Sequence, residues 1–326
     1  MLLASPRKQL QEVNLPIPQP NENQLLIRVE ACGICRTDLH IYEGELSNPN
    51  FPLILGHQIV GTIVERGINC HSFSTGTRIG VPWLGKSCSV CSYCQEGREN
   101  LCDRSLYTGY DLNGGFAEYC LANEDFVFPI PDQYPPIHAA PLLCAGLIGY
   151  RALKMIGNAK KIGFFGFGSA AHILIQIANF QGMEICAFTR PGDTDAQTFA
   201  KSLGAVWAGD SNQESPWQLD AAIIFASNGE LIPLALKAIK KGGKVVCAGI
   251  HMSDIPSFAY ALIYGEKVLC SVTNLTREDG KEFFEIAKQH ELKTSVTTYP
   301  LEQANQALMD LKAGKVTGSL VLKLNQ

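Results

Sequence analysis

The chain has 326 residues, 46% of them hydrophobic and 18% charged, with a formal net charge of -4. That length is about twice an ordinary domain, so two domains with separate cores are expected. No basic or acidic block occurs along the chain, which argues against nucleic acid and anionic membranes as partners.

The opening segment, MLLASPRKQL, has few apolar residues before Pro6 and Arg7 and lacks the apolar stretch of a secretory signal. The longest nearly apolar run, AAPLLCAGLIGY, is too short to span a bilayer. A cytoplasmic protein is expected. In a reducing compartment, clustered members of a set of twelve cysteines point to metal binding or catalysis and not to a disulfide framework.

The first third is rich in short alternating segments, QLLIRVEA, IVGTIVERG and TRIGVPW, broken by Gly, Pro and Asn, which predicts antiparallel β structure with long loops. Near residue 145 the pattern changes. KIGFFGFG reads as a buried strand, SAAHILIQIANFQG as a helix ending at Gly, and MEICAFT as a strand. DAQTFAKSLG (helix), LDAAIIFA (strand), ELIPLALKAIKKGG (helix) and KVVCAGI (strand) follow. Strands alternating with helices of this length predict a doubly wound parallel sheet, and hence an α/β protein. The last part opens with a capping box at Thr276 and Asp279 and continues with a short strand, the helix LEQANQALMDLKAG and the strand GSLVLKL. The expected division is residues 1–145, with a cysteine lobe at 86–104, then 146–270 and 271–326.

Cys88, Cys91, Cys94 and Cys102 follow the spacing C-x2-C-x2-C-x7-C within one loop. Four thiolates match the ligand count of a closed tetrahedral metal site, with zinc the usual occupant and iron the alternative. A saturated ion has no position for a substrate, so any chemistry must lie elsewhere. ACGICRTDLH, GHQIVG and PLLCAGLIGY each carry a weak signal, a Cys or a His. Together they offer two thiolates and an imidazole, a three-ligand set that leaves a fourth position open.

These motifs, in this order, together with GGFAEY, GFGSAA and the C-terminal LKAGKVTGSLVL, resemble the zinc-dependent alcohol dehydrogenases of the medium-chain dehydrogenase/reductase superfamily over essentially the whole chain. The PLLCAG wording is closest to the cinnamyl-alcohol-type and related bacterial members. The resemblance implies a GroES-like β-rich catalytic domain followed by a Rossmann domain, two zinc ions per chain, a nicotinamide cofactor and a homodimer or homotetramer. It makes Cys35, His57 and Cys144 the catalytic zinc ligands and Cys88, Cys91, Cys94 and Cys102 the structural ones. It makes Asp38 the carboxylate that orients His57, Thr37 the hydroxyl that takes the alcohol proton, and His40 the base that passes it on. Arg36 would face the cofactor pyrophosphate, and Tyr42 and Trp83 would line the substrate pocket. The family usually has Glu after the zinc-binding His; Gln58 stands there instead, and altered ligand exchange is expected.

Gly166, Gly168 and Ala171 form G-x-G-x-x-A between a predicted strand and helix, the context in which this motif binds a dinucleotide. An NAD site calls for an acid at the end of the second strand, to accept from the ribose 2′-hydroxyl. Here the strand ends in Thr189 and Arg190, which removes the repulsion of a 2′-phosphate and supplies a cation, so NADP is expected to be preferred, with NAD as the alternative. The competing geometry has Asp193 or Asp195 reaching back to the ribose. The expected reaction is hydride transfer between this cofactor and a primary alcohol/aldehyde pair. Two rivals are a cofactor-binding relative without turnover and a zinc-independent reductase of enals or quinones. Both conflict with an intact set of three zinc ligands.

Overall fold

In the computed structural model, which describes residues 1–46 and 49–324, the chain leaves one folded unit to build a second and then returns. The first unit is Met1–Cys144 joined by the segment from Asn274 onward, and the second is Ala145–Thr273.

The spine of the first unit is β1 (Gln24–Ile34), in which only Arg28 is exposed. It runs into a short helix, α1 (Arg36–Glu43), and is followed by β2 (Gln58–Arg66), β3 (Arg78–Val81), β4 (Tyr119–Asn123) and β5 (Phe128–Pro129). β1 pairs with β2 and β4 and β2 with β3, all antiparallel, as the alternating first third predicts. Between β3 and β4 the cysteine loop is pinned at its base by a ribbon pairing Leu84 with Tyr107 and Lys86 with Leu106.

The second unit begins with α2 (Ala145–Met155) and continues β6 (Lys161–Phe165), α3 (Ser169–Phe180), β7 (Glu184–Thr189), α4 (Thr194–Ser202), β8 (Trp207–Asp210), β9 (Leu219–Ile224), α5 (Leu231–Ala238), β10 (Ile239–Cys247) and β11 (Val268–Ser271). Its six strands are all parallel in the order β8-β7-β6-β9-β10-β11, the order of a Rossmann sheet. Strands covered on both faces read as continuous apolar runs, and β6 does from Ile162 and β9 from Ala221. The helix predicted over ELIPLALKAIKKGG stops early, at Ala238. Ile239 is fully buried and pairs with Leu219, and that burial outweighs another turn of helix. No structure was expected for AGLIGYRALKM, which forms α2 and carries Gly146 and Gly149 inside the helix, residues that weaken a helical signal.

The returning segment supplies α6 (Arg277–Gln289), β12 (Val296–Pro300), α7 (Ala304–Lys312) and β13 (Ser319–Lys323). The capping box at the start of α6 is formed: Thr276 Oγ1 accepts from Asp279 N at 3.1 Å, and Asp279 Oδ2 accepts from Thr276 N at 2.9 Å. β13 pairs antiparallel with β1, completing a seven-stranded sheet. Leu308, Leu320 and Leu322 pack in one cluster with Ile27, Ile59 and Ile79, so the last segment closes the core begun by the first. No helix among the described residues is long and apolar enough to cross a membrane.

Candidate active site and metal centres

Cys35 sits where β1 ends and α1 begins. Its extended backbone makes it the N-cap, its Sγ accepts from Thr37 N at 3.3 Å, and its own N–H donates to Asp38 Oδ2 at 2.9 Å. This is a capping box with cysteine in place of serine, which is why the helix start was not legible from the usual cap residues. The second oxygen of Asp38 accepts from Gly56 N at 3.1 Å. One fully buried carboxylate thus ties the start of α1 to the turn that carries His57. Cys144 ends a 3-10 turn, Ala140–Leu143, whose two leucines are fully buried. Gly80 on β3 leaves room for Leu143, since a Cβ there would lie 2.6 Å from its side chain.

These three segments bring the donor atoms of Cys35, His57 and Cys144 within 4.8 Å of one another. Cys35 Sγ lies 3.3 Å from His57 Nε2 and 4.0 Å from Cys144 Sγ. His57 Nδ1 faces Asp38 Oδ1 at 3.5 Å. Burial pushes the imidazole pKa down, but the charges of Cys35 and Asp38 outweigh it and raise His57 to about 10. A hydrogen bond from Cys144 holds the Cys35 thiol well below its ordinary range, while Cys144 is pushed well above. Two thiols and an imidazole brought this close together offer a cation three soft donors.

The second cluster is Cys88, Cys91, Cys94 and Cys102, whose sulfurs also all lie within 4.8 Å of one another. Zinc–sulfur bonds of about 2.3 Å arranged tetrahedrally separate the sulfurs by about 3.8 Å. Cys94 Sγ lies 3.9 Å from Cys88 Sγ and 3.6 Å from Cys91 Sγ. Hydrogen bonds from the Val90 and Cys91 N–H groups hold the Cys88 thiol down at about 5. Both donor sets therefore fit zinc in kind and in spacing.

Around the three-donor centre, Thr37 and His40 are buried and Arg36 is exposed on the first turn of α1. His40 Nδ1 lies 2.5 Å from Glu45 Oε2. Trp83 meets His57 edge-on at 5.0 Å, stacks on Tyr107 at 5.0 Å and tilts against Tyr110 at 5.7 Å. Sequence reasoning missed Tyr107 and Tyr110; the only signal was two tyrosines three residues apart after the cysteine loop. Tyr42 is half-buried and packs against the first unit's core. Gln58 is buried on β2 opposite Gly33, and its Nε2 has no hydrogen-bond partner among the described residues.

In the second unit, Gly166 turns the chain between β6 and α3 at φ +92°, a conformation that favours glycine. A Cβ at Gly168, the N-cap of α3, would meet nothing within 4 Å, so a ligand can approach the backbone there. Ala171 is fully buried. No side chain caps α3 at Gly168, and the turn fits a pyrophosphate. At the end of β7, Thr189 is buried and the Arg190 side chain is 85% exposed, with Nε 4.0 Å from Asp193 Oδ2. Asp193 caps α4 by accepting from Ala196 N at 3.1 Å.

A β-rich unit that gathers two cysteines and a histidine, with a Rossmann unit as its companion, defines a class, the zinc-binding dehydrogenases. Residues 21–132 match the family profile described as Alcohol dehydrogenase GroES-like domain, and residues 196–322 the one described as Zinc-binding dehydrogenase. A probable alcohol dehydrogenase, AdhA, of Mycobacterium tuberculosis is 43% identical over 96% of this chain and 92% of its own length. An alcohol dehydrogenase of Geobacillus stearothermophilus is 35% identical over 98% of this chain and 97% of its own. The solved structure of a cinnamyl alcohol dehydrogenase of Sorghum bicolor superposes with a TM-score of 0.90 at 26% identity, covering 99% of this chain and 96% of that one. The chain belongs to the zinc-dependent alcohol dehydrogenases of the medium-chain dehydrogenase/reductase superfamily, which are nicotinamide-linked oxidoreductases.

Proposed function

We propose that this protein interconverts a primary alcohol and its aldehyde, preferring NADP to NAD, with one zinc held by Cys35, His57 and Cys144 and a second by Cys88, Cys91, Cys94 and Cys102. The observation that carries the reading is the convergence of two thiols and an imidazole from three separate segments, beside an aromatic wall. Four thiols saturate a tetrahedral ion, whereas three donors leave one position for substrate.

When bound, zinc supplies a Lewis acid that lowers the pKa of an alcohol and polarises an aldehyde, and the nicotinamide supplies the hydride acceptor or donor. The chain's own residues prepare for that chemistry. Cys35 holds its negative charge at the N-terminus of α1, where the Thr37 N–H and the helix dipole favour a thiolate. Asp38, with an oxygen committed to each of two backbone donors, fixes the spacing of two ligand-bearing turns and faces the His57 Nδ1. Thr37 is assigned the alcohol proton and His40 its passage outward. The Glu45 carboxylate against His40 Nδ1 orients the ring for that role.

Arg36 is assigned to the pyrophosphate, with Gly166, Gly168 and Ala171 forming the dinucleotide turn. Thr189 and Arg190 are assigned to the adenosine ribose and its 2′-phosphate. Trp83 and Tyr42 keep their assignment to the substrate wall, and Tyr107 and Tyr110 extend it. The division into a catalytic domain (1–145), a cofactor domain (146–270) and a return segment (271–326) belongs to the same reading. A cytoplasmic setting is supported by twelve cysteines with no disulfide among the described residues. A homodimer or homotetramer is supported by β11, which among the described residues has a strand partner on one side only and follows Tyr260 and Tyr264, 74% and 66% exposed.

The test combines metal analysis with kinetics on a panel of primary alcohols and aldehydes. Two zinc ions per chain and a higher kcat/KM with NADP than with NAD are expected. A zinc content near one overturns the two-site assignment, and absence of turnover across the panel makes the chain a cofactor-binding relative.

A further inference from the structure

A small polar network at the end of β7 takes no part in the metal chemistry or the glycine turn. Arg190, Pro191, Gly192 and Asp193 form a tight turn in which Asp193 N donates to the Arg190 carbonyl at 3.1 Å and Gly192 has φ +79°. Proline in the second position and a positive-φ glycine in the third are what a type II turn requires. One strand over, Asp210 ends β8 in register with Thr189. Its Oδ1 accepts from Gly192 N at 3.0 Å and from Gln197 Nε2 at 2.8 Å, and the same Gln197 amide donates to Thr189 Oγ1 at 3.1 Å. Asp210 and Gln197 therefore clamp the turn from the neighbouring strand and from α4.

The clamp has two chemical consequences. Asp210 Oδ1 accepts from two donors and Asp193 Oδ1 caps α4, so one oxygen of each carboxylate is engaged in holding the turn and the helix that follows it. The Arg190 guanidinium projects from a fixed backbone into solvent. A cation on a fixed turn binds a dianion without first losing the freedom of a mobile loop.

We propose that Asp210 and Gln197 are positioning residues that set the preference for a 2′-phosphorylated adenosine ribose, by fixing the turn that presents Arg190. The inference rests on the NADP reading above and names the residues that act through Arg190. Asp210 works as a hydrogen-bond acceptor in this role, so its charge is dispensable.

The test is calorimetric binding of NADP and of NAD to the full-length zinc-loaded protein, with thermal unfolding of every variant. Asp210→Ala should lower the NADP-over-NAD binding ratio by roughly fivefold or more through loss of the ordered turn, with NAD affinity nearly unchanged. Asp210→Asn, which keeps an acceptor for Gly192 N–H, should restore the wild-type ratio. Gln197→Leu, which leaves Asp210 in place, should give an intermediate ratio and carries the test if Asp210→Ala fails to fold. A wild-type ratio in both Asp210→Ala and Gln197→Leu overturns the proposal. Asn behaving like Ala overturns it too, by making the effect one of charge, and equal losses for both cofactors reduce the clamp to a structural element. Failure of the underlying reading looks different: the wild type itself favours NAD, or Arg190→Ala weakens both cofactors alike.

Discussion

Cys88, Cys91, Cys94 and Cys102 lie on one loop pinned by a short ribbon, whereas Cys35, His57 and Cys144 come from a helix start, a strand start and the end of a 3-10 turn. In the lobe, three of the four cysteines are only half-buried and the short helix Ser92–Gln95 buries no residue, so beyond its ribbon and the Glu99 anchor a metal joining the sulfurs would supply much of the loop's order. In the three-donor centre the donors are held by the protein's own contacts, Cys35 and His57 through the Asp38 carboxylate and Cys144 through the buried Leu142 and Leu143. Under the proposed assignment the same soft ligands serve opposite ends. Removing a donor from the lobe should cost fold, and removing one from the centre should cost chemistry.

The sharpest way to break that contrast is Cys144→Ala. Turnover should fall about a thousandfold or more, because Lewis-acid stabilisation of the reacting oxygen is worth several kcal/mol. Zinc content should drop by one per chain, while dinucleotide binding, assigned above to the Gly166 turn, should stay near wild type. Near-wild-type alcohol oxidation would remove Cys144 from the centre. Cys102→Ser should show the reverse pattern, with a loss of at least about 3 kcal/mol in unfolding free energy, since metal binding in a closed site is also folding free energy. Unchanged thermal stability with lost activity would mean that the roles of the two clusters are exchanged.

Glu99 refines the comparison, because it anchors the cysteine lobe to the return segment of the chain. Its buried carboxylate accepts from Arg277 N at 2.8 Å and Nε at 3.1 Å. Burial pushes this acid up, but the donors of Arg277 and the residue's own N–H outweigh it and leave its pKa lowered. A lowered carboxylate stabilises the fold above its unfolded value of about 4.3, and the contribution is lost as pH falls through the folded value. Glu99→Gln should therefore cost about 1–3 kcal/mol at neutral pH. That deficit should shrink in acid, as followed by denaturant midpoints at neutral and acidic pH; a deficit independent of pH would assign the effect to shape and not to charge.

The smallest effect belongs to the periphery of the three-donor centre. His40→Ala should slow alcohol oxidation about tenfold near neutrality and less in alkali, where hydroxide replaces the relay. Identical slowing across the pH–rate profile would take His40 out of the proton path.

What the sequence by itself determined is whatever depends on near neighbours. The apolar runs of β6 and β9, the Thr276 and Asp279 capping box and the four-cysteine spacing are local patterns, and local hydrogen bonding, burial and ligand count decide them. Cys35, His57 and Cys144 could be singled out only because several weak motifs occurred in a familiar order. Only the tertiary structure decided that Asp38 spends both oxygens on backbone donors from two turns, that Tyr107 and Tyr110 join Trp83, and that Asp210 reaches Gly192 from the next strand. It also decided that Ile239 leaves the helix for the sheet. Each of these depends on partners far apart in the chain, whose free energy is gained only when the core brings them together, so no short window of residues carries its signature.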